Sequence, residues 1–168
     1  MKYRGLRGTR DILPEETQVW QRVEEICREI FAGYNYQEIR LPIIEATELF
    51  SRSLGTSTDI VEKQMYTFLD KKGRSVTLRP EGTAGVIRSY IQNVLYHQEP
   101  ISRLYYLGPM YRYERPQAGR YREFYQIGAE LIGSESSWAD VEIISLVVDC
   151  LKKLGLSLSP SPQSSPPR

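Results

Sequence analysis

The feature that most constrains this chain is a pair of long aromatic-rich runs, about 103–114 and 123–132, joined by the basic segment RPQAGRYR at 115–122. Each run is long enough to be a strand crossing a whole sheet, and the short polar link makes the two an antiparallel hairpin. Such a hairpin needs an apolar cover on at least one face. Candidate covers flank it in the sequence. Residues 14–33 set Val19, Trp20, Val23, Ile26, Ile30 and Phe31 at helical spacing, with Pro14 at the start and Gly33 as the expected stop. Residues 82–96 and 138–154 read as two more helices, the last closed by Gly155. A shorter hairpin is expected at 65–69 and 75–79 about a turn at 70–73. The segment from Tyr36 to Ile44 reads as extended, and Pro42 restricts it to a sheet edge or an interface because proline donates nothing to a ladder. This order of elements is that of an α+β domain, an antiparallel β-sheet flanked by helices, over residues 1–156. Residues 157–168 are dominated by serine and proline without apolar periodicity, and are expected to be disordered.

Composition narrows the function classes. Of 168 residues, 40% are hydrophobic and 26% charged, enough for one buried core. The net charge of +1 excludes a global basic field, so a nucleic-acid contact has to come from a local patch or another segment. No run approaches the ~18 apolar residues of a membrane span, so no membrane role is expected. The opening MKYRGLRGTRDILPEE is polar and lacks the apolar core of a signal peptide. Cys27 and Cys150 stand far apart without a CxxC pair, and His97 is the one histidine, so neither a disulfide framework nor a metal site built by protein motif is expected. The expected compartment is the reducing cytoplasm. The chain has no Walker-type loop, no GxGxxG and no GxSxG, so nucleotide chemistry would need a different phosphate grip.

Three segments could carry chemistry. LRPEGTAG at 78–85 ends a strand, turns at Pro80 and opens a helix. There Glu81 can hold an ammonium group and Thr83 can add a hydrogen bond beside the bare backbone of Gly82. Glu81 can equally be a cap for the positive end of the helix. On the long hairpin, Arg112, Glu114 and Pro116 share a face by the two-residue period, as do Phe124, Gln126, Gly128 and Glu130 on the return. If the two faces coincide, one surface collects arginine, carboxylates, an amide and a ring, which suits a small zwitterion beside a nucleotide. An arginine fork holds a carboxylate or phosphate at two points, and Arg115, Arg120 and Arg122 could close over phosphates. The competing reading is a solvent-facing hairpin with cross-strand ion pairs, and pattern does not choose between them. The third segment, 14–44, reads as core packing and, along its proline-bearing edge, as a subunit interface.

Taken together, these segments resemble the class II aminoacyl-tRNA synthetases. Gly33 to Ile44, with Pro42, is similar to motif 1 of that class; Tyr111 to Glu114, with Arg120 and Phe124, is similar to motif 2. Within the class, RGTRD at 7–11, TLRPEGTAG at 77–85 and RYERPQAGRYREF at 112–124 resemble the histidyl-tRNA synthetase family, and the likeness runs over about residues 5–155. The resemblance implies ATP-dependent activation of L-histidine and its transfer to tRNA-His, by a homodimer formed through residues 14–44. It implies that Glu81, Gly82, Thr83 and Gln126 hold the amino-acid end of histidine, that Glu130 meets the imidazole, and that Arg112 is the catalytic arginine bridging the histidine carboxylate and the ATP α-phosphate. Glu114 would read the adenine amino group, Arg120 the γ-phosphate, and Phe124 would stack on adenine, with Mg2+ carried by the ATP. The family also has a second histidine-specific run, a motif 3 arginine and a C-terminal anticodon-binding domain that carries the main tRNA contacts. None follows Leu156, so the chain reads as an incomplete catalytic domain. A second implied reading is a catalytically silent histidine-binding paralogue of the ATP phosphoribosyltransferase regulatory-subunit type. A sensor of that type has no need of the ATP grip at Arg112, Glu114, Arg120 and Phe124. A third is a pure interaction module that dimerises through motif 1.

Overall fold

The structure is a computed structural model that describes residues 3–54, 64–114 and 119–156. The expected disordered tail, 157–168, and the residues Arg115 and Pro116 of the hairpin link lie outside the described residues. Helix α1 (Pro14–Gly33) leads to strands β1 (Gln37–Glu38) and β2 (Ile44–Ala46), then helix α2 (Thr47–Leu54). Strands β3 (Tyr66–Leu69) and β4 (Ser75–Leu78) precede helix α3 (Thr83–Gln92). The long hairpin is β5 (Ser102–Tyr111) and β6 (Glu123–Ile132), and α4 (Trp138–Lys153) follows. The strands form two sheets in the orders β1-β5-β6 and β2-β4-β3. The fold is thus α+β, with antiparallel pairing throughout except that β1 runs parallel to β5.

The stops of α1, α3 and α4 have local causes. In α1, Gly33 is the last helical residue, and the left-handed position falls on Asn35, φ 62°. Tyr36 N–H donates to Phe31 O at 2.8 Å and Asn35 N–H to Ala32 O at 3.0 Å, a pair of bonds that closes the helix, while the Phe31 and Tyr36 rings meet at 6.2 Å. Asparagine tolerates the left-handed region well enough to replace the expected glycine. At α4 the same device uses Gly155, φ 79°, with Leu156 N–H on Leu151 O and Gly155 N–H on Lys152 O, both at 2.9 Å. Helix α3 is shorter than the expected 82–96. The Asn93 side-chain amide donates to Ser89 O at 2.9 Å, and Val94 turns left-handed, φ 54°, before a single 3-10 turn at Leu95–His97.

The extended stretch Tyr36–Ile44 is also divided. β1 lies at the edge of one sheet and β2 at the edge of the other, and Pro42 sits in the crossing between them. The edge location expected from the proline holds, but one continuous strand does not form. Arg79 stitches this crossing. Its buried guanidinium donates from Nη1 to Leu41 O and from Nε to Pro109 O, both at 2.9 Å. Gly108 is needed beside it, because a Cβ there would lie 2.5 Å from Arg79 Nη2. The short hairpin turn is held by Asp70, whose Oδ1 accepts from Lys72 N–H at 2.8 Å and Arg74 N–H at 2.9 Å.

The β5–β6 ladder separates two cores. One face packs Tyr105, Leu107, Ala129 and Leu131 against Phe31 and Cys27 of α1 and Leu146 of α4. The other packs Leu104, Tyr106, Met110 and Phe124 against Val86 of α3. A fully buried ring or aliphatic side chain in either core contributes about 1.5–3 kcal/mol. Cys27 and Cys150 are both free thiols beside this first core, despite their distance in sequence.

Candidate functional site

The second face of the long hairpin carries the candidate residues. Register places Phe124 opposite Met110, Gln126 opposite Gly108, Gly128 opposite Tyr106 and Glu130 opposite Leu104. The alternation expected for Phe124, Gln126, Gly128 and Glu130 therefore holds inside β6. It does not extend through Arg112 and Glu114. β5 ends at Tyr111, and Glu114 N–H turns back to Arg112 O at 2.8 Å, so these residues leave the ladder instead of alternating along it.

The candidates fall into two groups. Arg112, Glu114, Gly119, Arg120, Tyr121 and Phe124 line a hollow of about 280 Å³. Here the Arg112 guanidinium lies 5.0 Å over the Phe124 ring. Arg120 is largely exposed, with Nη1 3.5 Å from Glu114 Oε2. Arg122, expected to face phosphates, is instead engaged by the protein. Its guanidinium lies 4.0 Å over Tyr113 and donates to Glu114 O and Arg7 O, both at 3.3 Å.

Glu81 and Thr83 lie in another hollow, about 460 Å³, with Leu49, Ile87, Arg88 and Ile91. The buried Glu81 carboxylate accepts from Ala84 N–H at 3.1 Å, so the capping arrangement is present at the start of α3. Thr83 Oγ1 donates to Glu130 Oε1 at 2.7 Å. Burial pushes the Glu130 carboxyl up, with the nearby Glu81 charge adding to it and the Thr83 bond opposing. Arg112 and Phe124 line the first hollow and Glu81 the other, and the two share no lining residue among the described ones. The two groups are joined instead by Arg112 Nε, which donates at 2.9 Å to the carbonyl of Pro80, the residue before Glu81.

Two features were not read from the sequence. Tyr106 fills the space between α3 and β6. A Cβ at Gly82 would lie 2.2 Å from its ring, and one at Gly128 2.3 Å. Burial pushes its phenol up to about 12, with the nearby Glu130 charge adding to it and a hydrogen bond with Thr83 opposing. The signal was a tyrosine flanked in space by glycines at 82 and 128, which only the fold brings together. The second is Gln126 Oε1, a buried acceptor without a hydrogen-bond partner among the described residues. Buried acceptors are normally paired, so this atom awaits a donor.

Known proteins are similar to this chain. The family model for Histidyl-tRNA synthetase matches residues 8–159. The chain is 60% identical over 154 residues to a histidine--tRNA ligase of Solibacter usitatus, covering 92% of this chain and 37% of that protein. It is 63% identical over 151 residues to a histidine--tRNA ligase of Rippkaea orientalis, covering 90% and 35%. The crystal structure of apo histidyl-tRNA synthetase from S. aureus aligns with TM-score 0.78 at 43% identity, over 92% of this chain and 35% of that one. A Bacillus halodurans structure titled ATP phosphoribosyltransferase regulatory subunit/histidyl-tRNA synthetase aligns with TM-score 0.80 at 30% identity, over 94% and 39%. The chain thus spans little more than a third of the length of these relatives, from 35% to 39%. With the matched region containing the residues of both hollows and the whole long hairpin, the chain belongs to the histidyl-tRNA synthetase family.

Proposed function

We propose that this chain holds L-histidine and ATP side by side on the β5–β6 face and contributes the activation step of a histidine--tRNA ligase. The observation that carries the reading is Arg112, which rests on Phe124 in one hollow while holding the carbonyl of Pro80, the residue before Glu81 of the other. Glu81, Thr83 and Gln126 would accept from the histidine ammonium beside the backbone of Gly82. Thr83 keeps lone pairs free for this while donating to Glu130, and Gln126 Oε1 would gain its missing partner. Glu130 would take the imidazole. Glu114 would read the adenine amino group, Phe124 would stack on the base, and Arg120 would swing from Glu114 to the γ-phosphate.

In the reaction a carboxylate oxygen of histidine attacks the α-phosphorus, and the bond to pyrophosphate breaks. Arg112 would neutralise the charge that develops between them, so the protein positions and stabilises without forming a covalent bond. Mg2+ would enter bound to ATP and withdraw charge from the phosphates. The homodimer would form through residues 14–44, where Ile43 and Ile44 are exposed. Contacts with the tRNA-His anticodon would come from the length of the relatives that this chain does not span. No helix among the described residues is long and apolar enough to cross a membrane, and a cytoplasmic location is proposed from the family.

The regulatory-subunit reading is favoured by the name and likeness of the Bacillus halodurans protein. It is weakened by the 280 Å³ hollow, where Arg112, Glu114, Arg120 and Phe124 meet. Histidine-dependent ATP–pyrophosphate exchange tests the ligase reading. With this chain joined to the further length that its relatives have, the expected result is exchange in the wild type and its loss in Arg112→Ala. Exchange that survives in Arg112→Ala contradicts the assignment of that residue, and histidine binding without ATP binding favours the sensor.

A further inference from the structure

The residues Arg7–Arg10 lie beside the β5–β6 hairpin and take no part in the site as proposed. Thr9 N–H and Oγ1 both donate to Leu6 O, at 3.0 and 2.9 Å, closing a tight turn with Gly8 left-handed at φ 89°. This turn presents the Gly8 carbonyl to the hairpin. It accepts from Arg122 N–H at 2.7 Å and, more weakly, from Glu123 N–H at 3.4 Å. Arg122 then passes the constraint inward. Its carbonyl accepts from Arg112 N–H at 2.9 Å, and its Nε donates to Glu114 O at 3.3 Å. Its guanidinium lies against the Tyr113 ring and reaches back to Arg7 O. Thus one side chain and one peptide unit hold the backbone of Arg112 and Glu114, where the hairpin has already left its ladder. Gly8 cannot be enlarged cheaply. A Cβ there would lie 2.7 Å from Arg122 Cγ, on a backbone that L side chains rarely adopt.

We propose that Gly8 and Arg122 are a clasp through which the N-terminal turn positions the ATP-binding pair Arg112 and Glu114. Both are positioning residues that need not touch the nucleotide. The clasp sits on the nucleotide side, whereas Glu81, Thr83, Gln126 and Glu130 are held by α3 and β6. Its loss therefore separates the two ligands. This inference rests on the ATP reading of the site.

The test compares the full chain with Gly8→Ala and Arg122→Met, titrating Mg-ATP and L-histidine separately and following amide hydrogen exchange. Because the clasp holds the ATP residues in place and misplacement by ångströms is costly, each variant is expected to weaken ATP binding by about tenfold or more. Histidine affinity should stay within about twofold, and exchange should rise at Arg112, Arg122 and Glu123 but not at Gly128. Arg122→Lys, which keeps the charge and the stem, should restore part of the ATP affinity. Equal loss of both ligands, or unchanged ATP affinity with unchanged exchange, overturns the clasp. If the wild-type chain binds no ATP, the nucleotide reading fails. Exchange alone then decides the clasp, and protection retained at Arg112 in Gly8→Ala overturns it.

Discussion

Single residues at this site carry opposed demands. Burial raises the Glu130 carboxyl pKa, so the folded state holds its proton more tightly than the unfolded chain does. That contribution to stability is full below the ordinary carboxylate pKa and is lost as pH rises through the raised value. Glu130→Gln keeps an oxygen acceptor for Thr83 and removes the buried charge. It should therefore flatten this part of the stability–pH curve and be more stable than wild type at neutral pH, while binding histidine more weakly. Urea melts across pH together with histidine titration check both halves. Gly128→Ala acts by volume: its Cβ would lie 2.3 Å from the Tyr106 ring, and overpacking of this kind costs about 1–3 kcal/mol. Tyr106→Leu in the same chain should recover part of that loss in denaturant unfolding. Neither effect could be read from the sequence. Glycine at 82 and 128 signals nothing until α3 and β6 bring both against one ring.

Elements are joined by a few polar anchors. Arg79 holds the carbonyls of Leu41 and Pro109, so it ties the crossing between β1 and β2 to β5. Burial pushes its guanidinium pKa down, a sign of how far it has been taken from water. Arg79→Met leaves two part-buried carbonyls without their donor and should cost about 2 kcal/mol, read as a lower urea midpoint at unchanged slope. On the other face, Glu142 of α4 accepts a two-point grip from Arg103, at 2.7 and 2.9 Å, and the Tyr36 hydroxyl at 3.1 Å. The helices and both hairpins were legible because their periodicity and turn residues agree with the fold. The shorter α3 and the divided 36–44 segment were not. Their breaks come from a side-chain bond at Asn93 and from Arg79, which joins residues far apart in the chain. Helix α2 also went unread, since Thr47–Leu54 is too short for a clear period.

At the scale of the molecule, the two sheets meet where Tyr111 N–H donates to Arg79 O at 2.9 Å and Arg112 takes Pro80 O. The site lies on that seam. Its residue types were legible in the hairpin, yet whether their faces coincide depends on a register and a bend that no local pattern encodes. The proposed assembly has its own test. If residues 14–44 form a dimer interface, sedimentation should show a dimer, and Ile44→Asp should shift it toward monomer without altering the far-ultraviolet spectrum. The central claim is that one face of the β5–β6 ladder receives histidine and ATP next to each other. Backbone amide shifts in the labelled chain test it most directly. The account predicts that L-histidine moves Thr83, Gly128 and Glu130, that Mg-ATP moves Arg112, Glu114 and Phe124, and that Gln126 responds to histidine from within the same strand. Shifts from the two ligands on separate surfaces, or none at these amides at saturating ligand, would contradict it.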